Sequence, residues 1–597
     1  MSKKIPLRNE VEEKSKWRLD LIYPSNEAFE EEFELVKKES SVLLTYKDRL
    51  HEKEAFRGYL KDYETYGRKL EKLYSYAHMK SDEDTANTEQ QLIMSRVSEY
   101  LSEFMSMISY FVPEVLSLPD EIIEEYKNDS ELSLYRFYIE SIAKEKPHVL
   151  TKEKEELLAT LGDSLNAPSR IYNMFTNADL TFNTILDEHK EEHQLTEGSY
   201  GLFIQSKDRE LRKNAFKELF TTYGSYKNML SQTLTSSIKV FNVSSKLRNY
   251  GSPIEAALSP NNIPVKVYEN SLETIREGLP SLHRYVDIKK RLLGLDEIHM
   301  YDLYVPVIDI PLKEIEFDEA VRMSLDGLKP LGEDYLEVFR NGVEGGWIDI
   351  YENKGKRSGA YSSGSYDTQP YILLNYHKDL RDVSTLVHEM GHSIHSFYSR
   401  STQPYVYGDY TIFVAEVAST TNEKLLIHYQ IENETDEKRK LYLINQELEQ
   451  IRTTVFRQLM FAEFEKITHE SLISGTPLAG DDLNRIWLDL NRRYFGDDIV
   501  LDDEIAIEWA RIPHFYSDFY VYQYATGYAA ASAFAEMILA EGEPAVEKYL
   551  GFLKAGGSDY PVEVLKAAGV DMTSKAPLEA TIRRFDALLD MLEEVVK

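Results

Sequence analysis

The chain of 597 residues contains no cysteine and few of the residues that interrupt helices. Without a thiol it cannot form disulfides, iron–sulfur clusters, Cys-type zinc sites or a thiol nucleophile, so any bound metal must use His and carboxylate ligands. The 28 Gly and 20 Pro make up about 8% of the chain, where roughly 12% is usual. This scarcity predicts long helices.

Basic residues and long apolar runs are also scarce. The chain has 69 Lys and Arg against 102 Asp and Glu, a formal charge of −33, which opposes binding to nucleic acid and to anionic membranes. The most apolar stretch, 528–540, is shorter than the about 20 residues of a membrane span, and the charged N-terminus lacks the apolar core of a secretory signal. We therefore expect a cytoplasmic protein that binds neither nucleic acid nor membranes and has no obligate protein partner.

The pattern of apolar residues changes several times along the chain. Helical spacing is found over 26–126, 207–293 and from 378 to the end, and we expect a helical N-terminal domain at 1–190 and a second domain at 191–597. Alternating residues predict a β-hairpin at 181–203. Further strands are predicted at 302–310, 347–351, 359–363 and 371–375.

His388, Glu389 and His392 match the zinc-binding pattern H-E-x-x-H. On a helix the two histidines share one face, so both imidazoles can bind one zinc ion while Glu389 holds the attacking water. Asp382 is a suitable N-cap for this helix. Apolar residues follow at steps of three and four: Val383, Leu386, Val387, Met390, Ile394 and Phe397. Because glycine costs about 1 kcal/mol inside a helix, Gly391 suggests that another backbone passes close by.

A second pair of histidines, His189 and His193, fits the inverted pattern H-x-x-E-H. This pair lies at the polar tip of the predicted hairpin and lacks an apolar helical period, so we expect both side chains to be solvated. The amphipathic helix at 388–392 is the better candidate.

A catalytic zinc site needs a third protein ligand and an open position for water. Glu416 lies in another predicted amphipathic helix among apolar neighbours, where a carboxylate needs a partner such as a zinc ion. The alternative is a structural Glu416 paired with an arginine or a tyrosine. His395 continues the face of the two histidines, but a fourth ligand would close the site, so we expect a supporting or structural role for it.

These residues resemble the thimet-type oligopeptidase superfamily of zinc peptidases and, within it, the oligoendopeptidase F family. The likeness rests on H-E-x-x-H followed 24 residues later by Glu416-x-x-Ser419. It extends over most of the chain, through the segments 17–25, 358–376, 388–395, 414–420 and 514–531 and the closing GVDM and FDALLDMLEEV.

The resemblance implies a mainly helical, clam-like fold of two parts with a deep central channel and a small antiparallel β-sheet beside the zinc-binding helix. It implies one zinc ion per chain, held by His388, His392 and Glu416, with Glu389 as the general base for the attacking water. Enzymes of this type hydrolyse internal bonds of short unfolded peptides, because only an unfolded peptide enters the channel.

The oxyanion of such a reaction needs hydrogen-bond donors besides zinc. The resemblance places a histidine and two tyrosines in the segment 514–531, where His514 and Tyr520 match best. The second tyrosine of the family falls on Gly527, so Tyr522 and Tyr524 are alternative substrate contacts.

The arrangement of these tyrosines depends on where their helix begins. If it begins near Ser517, Tyr520, Tyr524 and Tyr528 share one face and can line one wall of a site. An aromatic stripe in the protein core is the alternative interpretation.

The Gly-rich segment 358–376 lacks the phosphate-binding pattern G-x-x-x-x-G-K-[ST]. We expect the strand at 371–375 to be an edge strand that pairs with an extended peptide. Gly359 and Gly364 permit close approach and hinge motion, and Tyr361 lies between them as a further substrate contact. A plain surface hairpin is the alternative.

The leading hypothesis is a zinc-dependent endopeptidase that acts on short peptides. An exopeptidase of similar build, such as a peptidyl-dipeptidase, would need a charged group that captures a peptide terminus, and the sequence does not reveal one. A non-enzymatic helical interaction protein would hold the His pair incidentally or around a structural metal.

Overall fold

The structure of the chain, a computed structural model, describes residues 5–308 and 314–596. Helices dominate it, as the low content of Gly and Pro predicted. The α-helices are α1 (Asn26–Glu39), α2 (Lys53–Glu83), α3 (Thr88–Ile108), α4 (Phe111–Ser117), α5 (Asp120–Asn128), α6 (Arg136–Lys144), α7 (Lys152–Leu165), α8 (Ala167–Met174), α9 (Glu197–Phe203), α10 (Arg209–Ser225), α11 (Lys227–Leu247), α12 (Pro253–Leu258), α13 (Val265–Glu277), α14 (Leu279–Leu292), α15 (Phe317–Gly327), α16 (Glu333–Glu344), α17 (Leu380–Thr402), α18 (Ile412–Asn433), α19 (Glu437–Ile451), α20 (Arg457–Ile473), α21 (Gly480–Phe495), α22 (Tyr522–Glu541), α23 (Glu543–Ala555), α24 (Pro561–Ala567) and α25 (Ala576–Val596).

The described strands are short and form small sheets. β1 (Thr184–Leu186) and β2 (Glu192–Gln194) form the antiparallel hairpin that the sequence predicted, and β3 (Ile298–His299) pairs in parallel with β7 (Ile499–Val500). A third sheet contains β4 (Ile348–Asp349), β5 (Tyr361–Ser363) and β6 (Tyr371–Leu373) in the order β4-β6-β5. Its β5–β6 pair is antiparallel, as expected, and β4 joins β6 in parallel.

The chain divides into two compact units, each built from segments that are distant in the sequence. The first unit contains residues 1–149, 312–429 and 534–570, and the second contains 150–311, 430–533 and 571–597. The proposed domain boundary at residue 190, the clam-like shape and the central channel stay predictions.

The core of the first unit holds the third sheet in place. Aromatic and aliphatic side chains of α1 to α6 form one buried cluster, which includes Tyr371 and Leu373 of β6. The neighbouring strand β5 contacts α17, since Ser362 Oγ lies 2.8 Å from Ser393 Oγ. The sheet therefore lies beside the helix that carries H-E-x-x-H.

The prediction of a strand at 302–310 is wrong for residues 302–308, the part that the structure describes. Residues 302–308 contain no strand, and residues 309 and 310 lie outside the described residues. Asp302 is buried and forms ion pairs with Arg209 and Arg212, which hold a short 3-10 helix at Met300–Asp302. Because the buried carboxylate of Asp302 needs charged partners, its ion pairs determine the local backbone, and the alternating pattern of apolar residues does not.

The apolar stretch 528–540 is part of α22. Within the residues that the structure describes, no helix has both the length and the apolar character needed to cross a membrane.

Candidate active site

The start of α17 is stabilised by two aspartates. Asp379, not Asp382 as predicted, is the N-cap: its Oδ1 accepts a hydrogen bond of 2.9 Å from Asp382 N–H, and Asp382 Oδ2 accepts one of 3.1 Å from Asp379 N–H. This reciprocal pair is a capping box. The predicted apolar stripe is confirmed for Val383, Leu386, Val387, Met390 and Ile394, which are 0% exposed, whereas Phe397 is 37% exposed.

Helix α18 packs against α17 at Gly391. A Cβ atom at Gly391 would lie 2.6 Å from Ser419 Cα and 2.8 Å from Ser419 N, which are distances that packed atoms do not tolerate. Beside this contact, Asn422 Nδ2 donates a hydrogen bond of 3.0 Å to Val387 O. The close approach that Gly391 suggested is therefore present, and it brings Glu416 to the helix face that carries the histidines.

Replacing Gly391 by Ala is expected to push α18 away from α17, because the added methyl group would overlap backbone atoms. We expect a loss of about 1–3 kcal/mol in the free energy of unfolding, together with weaker metal binding. Gly551→Ala in α23 is the control, since an added Cβ there meets no atom within 4 Å. Denaturant unfolding and metal analysis of both variants measure the effect, and equal stability of the two would contradict the packing argument.

His388, His392 and Glu416 converge in the first unit. The Nε2 atoms of the two histidines are 3.2 Å apart, and each lies 3.4 Å from Glu416 Oε2. Glu416 Oε2 also accepts a hydrogen bond of 3.0 Å from Ser419 Oγ. The carboxylate of Glu416 thus contacts imidazoles and a hydroxyl, instead of the arginine or tyrosine of the structural alternative.

The cluster fits a zinc ion by both chemistry and spacing. Two imidazole nitrogens and one carboxylate oxygen form a set that zinc accepts in catalytic sites. Ligands that share a tetrahedral zinc at about 2.0–2.1 Å lie roughly 3.3 Å apart, and the three atoms here are separated by 3.2–3.4 Å. The predicted ligands therefore form a candidate metal centre.

The protonation of the metal-free cluster follows from burial and neighbouring charge. Although burial lowers it, the hydrogen bond and charge of Glu423 raise the pKa of His388 to about 9. Burial acts to raise the pKa of Glu416, but His392 and His388 lower it overall to about 2. At neutral pH, Glu416 is a carboxylate and His388 carries a proton that a metal ion must displace.

Glu389 lies next to this cluster and is 7% exposed. Burial raises the pKa of its carboxyl group, and the electrostatic interactions with the imidazoles of His388 and His392 oppose this rise. A buried carboxyl group with a raised pKa is suited to accept and return a proton.

Glu423 is a site residue that the sequence reasoning missed. Its Oε2 lies 3.4 Å from His388 Nδ1, and its Oε1 accepts a hydrogen bond of 3.1 Å from Ser384 Oγ. A carboxylate in this position orients the imidazole so that Nε2 points toward His392 and Glu416, the residues that would hold a metal with it. The signal was available, because Glu423 follows Glu416 by seven residues, two helical turns along the same face of α18.

His395 has a structural role in this arrangement. Its ring stacks on Tyr410 at a centroid distance of 3.6 Å and lies 5.1 Å from the ring of Phe552. Burial lowers the pKa of His395 to about 3, so the imidazole is neutral. It stabilises the packing beneath the site.

The competing histidines of the hairpin have other partners. His189 is 76% exposed, as expected. His193, which was also expected to be solvated, is only 30% exposed, and its Nε2 lies 3.1 Å from Asp187 Oδ2. Asp187, Glu191 and His193 do come within 4.8 Å of one another. Asp187 Oδ1, however, accepts the backbone N–H groups of His189 and Glu191, so the hydrogen bonds of the turn account for this group.

The Gly-rich segment supplies the edge strand, although not at the predicted residues. Among the described strands of its sheet, β5 at 361–363 is at the edge, whereas β6, within the predicted 371–375, is central. Gly359 and Gly364 have positive φ angles of 89° and 137°, which favour glycine. The hydroxyl of Tyr361 donates a hydrogen bond of 2.8 Å to Asp82 Oδ2, so this side chain is anchored to α2.

His514, Tyr520 and Tyr524 form a ring cluster in the second unit. The ring of His514 lies 6.2 Å from that of Tyr520 and 5.9 Å from that of Tyr524, and the two tyrosine rings are 5.4 Å apart. The hydroxyl of Tyr524 lies 3.4 Å from His514 Nε2. Burial lowers the pKa of His514, which leaves a neutral imidazole with one N–H donor.

Two expectations for this segment are corrected. Helix α22 begins at Tyr522, not near Ser517, so Tyr520 precedes the helix. Tyr522 is 1% exposed and packs against Tyr268 at a centroid distance of 5.1 Å, and Tyr528 is 3% exposed. The burial of Tyr522 contradicts a substrate contact, because its side chain offers no surface to a peptide.

Comparison with known proteins identifies the family of the chain. The family model described as Peptidase family M3 matches residues 202–584, and the one described as Oligopeptidase F matches residues 114–182. Oligopeptidase PepF of Bacillus subtilis (strain 168) is 48% identical over 99% of this chain and 89% of that protein. The Oligoendopeptidase F homolog of Lactococcus lactis subsp. lactis (strain IL1403) is 40% identical over 99% of this chain and 98% of that protein.

A solved structure shares the fold. The crystal structure of oligoendopeptidase-F from Enterococcus faecium superposes with a TM-score of 0.73 at 38% sequence identity, covering 96% of this chain and 99% of that one. The chain therefore belongs to peptidase family M3, as a metallopeptidase of the oligoendopeptidase F type.

Proposed function

We propose that the chain is a zinc-dependent endopeptidase that hydrolyses internal bonds of short, unfolded peptides. The observation that carries this proposal is the convergence of His388 Nε2, His392 Nε2 and Glu416 Oε2 at separations of 3.2–3.4 Å, next to the buried Glu389. When bound, zinc would polarise the scissile carbonyl group and lower the pKa of the attacking water toward about 7.

The chain's own residues move the protons and bind the developing charge. The carboxylate of Glu389 takes a proton from the attacking water and passes it to the leaving amide nitrogen. His514 and Tyr520 are proposed to donate hydrogen bonds to the oxyanion. Tyr524, whose hydroxyl lies 3.4 Å from His514 Nε2, is proposed to hold that imidazole.

The peptide backbone is proposed to pair with β5. This strand lies at the edge of its sheet, and Ser362 connects it to α17 directly after His392. Pairing through backbone groups makes few demands on side chains, which suits an enzyme for varied short peptides. Gly359 and Gly364 flank the strand, and an added Cβ at Gly359 would meet no atom within 4 Å.

A peptide blocked at both termini tests whether the enzyme is an endopeptidase. We expect mass spectrometry to find fragments from cleavage at internal bonds, at a rate close to that of the unblocked peptide. An exopeptidase would cut only the unblocked peptide and would release its terminal residues. Failure to cut the blocked peptide would overturn the endopeptidase proposal.

The cytoplasmic location expected from the sequence stays a prediction.

Zinc uptake by the metal-free protein is expected to release a proton. The pKa of His388 is raised to about 9 in the metal-free fold, so below that pH the proton on this imidazole opposes the metal. We expect release of about one proton per zinc at pH 7, and an affinity that rises with pH up to about 9. Calorimetry in buffers of different ionisation enthalpy measures the proton count. No release at pH 7 would contradict the raised pKa of His388 in the metal-free fold.

Replacing Glu423 by Gln is expected to weaken zinc binding by about 10–100-fold. The amide keeps the shape of the side chain but no longer offers a negative charge to His388 Nδ1, 3.4 Å away. Competition with a zinc chelator measures the affinity. Glu337→Gln on the exposed surface of α16 is the matched control, and equal affinities in the two variants would rule out the supporting role.

A further inference from the structure

A strained turn precedes Tyr520. Ser517 and Tyr520 close it through a hydrogen bond of 3.1 Å from Tyr520 N to Ser517 O, and Phe519 at its third position has a φ of +55°. A turn that requires positive φ at this position normally carries Gly or Asn, and a bulky side chain there is an outlier. Such strain persists only where the surroundings enforce it, and it gathers at functional sites.

A single carboxyl group on α20 holds the backbone of this turn. Phe519 N–H donates a hydrogen bond of 3.0 Å to Glu465 Oε1. Glu465 is 2% exposed, and its Oε2 has no hydrogen-bond partner among the described residues. Burial raises the pKa of Glu465 well above its ordinary value, which favours the protonated acid. Glu465 has no role in the reaction proposed above.

The side chain of Phe519 is fixed from several helices of the second unit. It is 4% exposed, and its ring lies 4.5 Å from His469 of α20 and 5.8 Å from Tyr268 of α13. His469 itself is held by Asn242 of α11, with 2.8 Å between His469 Nδ1 and Asn242 Oδ1. The residue before Tyr520 is thus locked by backbone and side chain together.

His469 also reaches the second residue of the turn. Its Nε2 lies 3.3 Å from Asp518 Oδ1, an ion-pair distance without hydrogen-bond geometry. Two side chains one turn apart on α20, Glu465 and His469, therefore contact consecutive residues of the turn. Because Phe519 faces the core, the next residue, Tyr520, is directed toward the partly exposed His514 and Tyr524.

We propose that Glu465 is a positioning residue for Tyr520: through the amide of Phe519 it holds the turn that places the Tyr520 phenol beside His514. The proposal rests on the function proposed above, in which Tyr520 and His514 bind the oxyanion. Glu465 touches neither ring. Because Glu465 acts on catalysis only by holding the turn, its replacement should lower kcat and leave KM nearly unchanged.

Variants at position 465 distinguish three contributions of Glu465: its hydrogen-bond acceptor, its ionisable group and its packing volume. Glu465→Ala removes the acceptor, and Glu465→Leu removes it while filling the space, should the alanine variant not fold. We expect kcat to fall by about 10–100-fold with KM changed less than about threefold, the size of effect produced by small misplacements. Glu465→Gln keeps an oxygen that can accept a hydrogen bond from Phe519 N–H, so its kcat should stay within about threefold of that of the parent enzyme.

Glu463→Gln is the matched control on the same helix. Glu463 is 1% exposed and binds Arg276, Arg493 and Tyr494, none of which belongs to the turn. This control should lose stability and keep kcat. A kcat for Glu465→Leu that equals that of the control would overturn the proposal.

The position of the Tyr520 side chain can be measured by fluorine NMR, independently of enzyme activity. With 3-fluorotyrosine at position 520, we expect Glu465→Leu to shift and broaden the fluorine NMR signal, and Glu463→Gln to leave it unchanged. An unchanged signal in Glu465→Leu would overturn the positioning role and leave the proposed function intact. A shifted signal combined with full activity of Tyr520→Phe would support the positioning role and remove Tyr520 from the proposed mechanism.

A double-mutant cycle closes the test. If Glu465 acts through Tyr520, Glu465→Leu should cost little further kcat in an enzyme that already carries Tyr520→Phe. If the two substitutions lower kcat by fully independent factors, Glu465 does not act through Tyr520.

Discussion

Replacing Glu389 by Gln is expected to abolish most of the peptidase activity while the metal stays bound. The amide has nearly the shape of the carboxylate but cannot take a proton from water, and general-base catalysis contributes about 10²–10⁴-fold to a rate. We expect kcat to fall by that factor on a quenched fluorescent peptide. Zinc content should stay at one per chain, because His388, His392 and Glu416 are untouched.

Glu337→Gln on exposed α16 carries the same chemical change away from the site and should keep parental turnover. If Glu389→Gln cleaves the peptide at a rate near that of the parent enzyme, Glu389 is not the base. If it instead loses its zinc, the loss of activity would say nothing about proton transfer, so the metal content must be measured on the same sample.

Replacing His392 by Ala is expected to remove the metal and, with it, the activity. His392 supplies one of three converging atoms, and its Nε2 is 3.2 Å from His388 Nε2 and 3.4 Å from Glu416 Oε2. Loss of a direct ligand should exceed the roughly 10–100-fold weakening caused by losing a supporting residue. We expect zinc to fall from one per chain to near zero after dialysis.

His189→Ala is the control for this experiment, because His189 belongs to the other histidine pattern of the chain and is 76% exposed. It should keep both zinc and activity. Zinc retained at one per chain in His392→Ala would contradict the ligand assignment, whereas loss of zinc in His189→Ala would transfer the metal site to the hairpin.

Local patterns predicted the helix of the site well. Five apolar residues of α17 are 0% exposed, and the glycine between the two histidines meets the backbone of α18 at Ser419. Both features leave a local signal in the sequence, the first as an apolar period and the second as a glycine inside a helix. The N-cap was misplaced by three residues, because Asp379 and Asp382 both bond to backbone N–H groups and sequence alone does not say which one is outermost.

Predictions that depended on distant partners were less accurate. The strand at 371–375 was expected at the sheet edge, but β4, from a separate segment, pairs with it on its other side. Tyr522 was a possible peptide contact until the position of Tyr268 on α13 showed it to be core. The spacing of Glu423 from Glu416 is a local signal, but the contact of Glu423 with His388 crosses from α18 to α17. The contact of Glu465 with Phe519 joins a helix to a loop and has no local signal.

Titration of the metal-free protein with zinc, using a quenched fluorescent peptide blocked at both termini, tests the central claim most directly. We predict no cleavage without metal, a linear rise in rate, and a sharp plateau at one equivalent of zinc. Protein that carries His392→Ala should show no rise over the same range. Full cleavage of the blocked peptide by protein from which all metal has been removed would contradict the account.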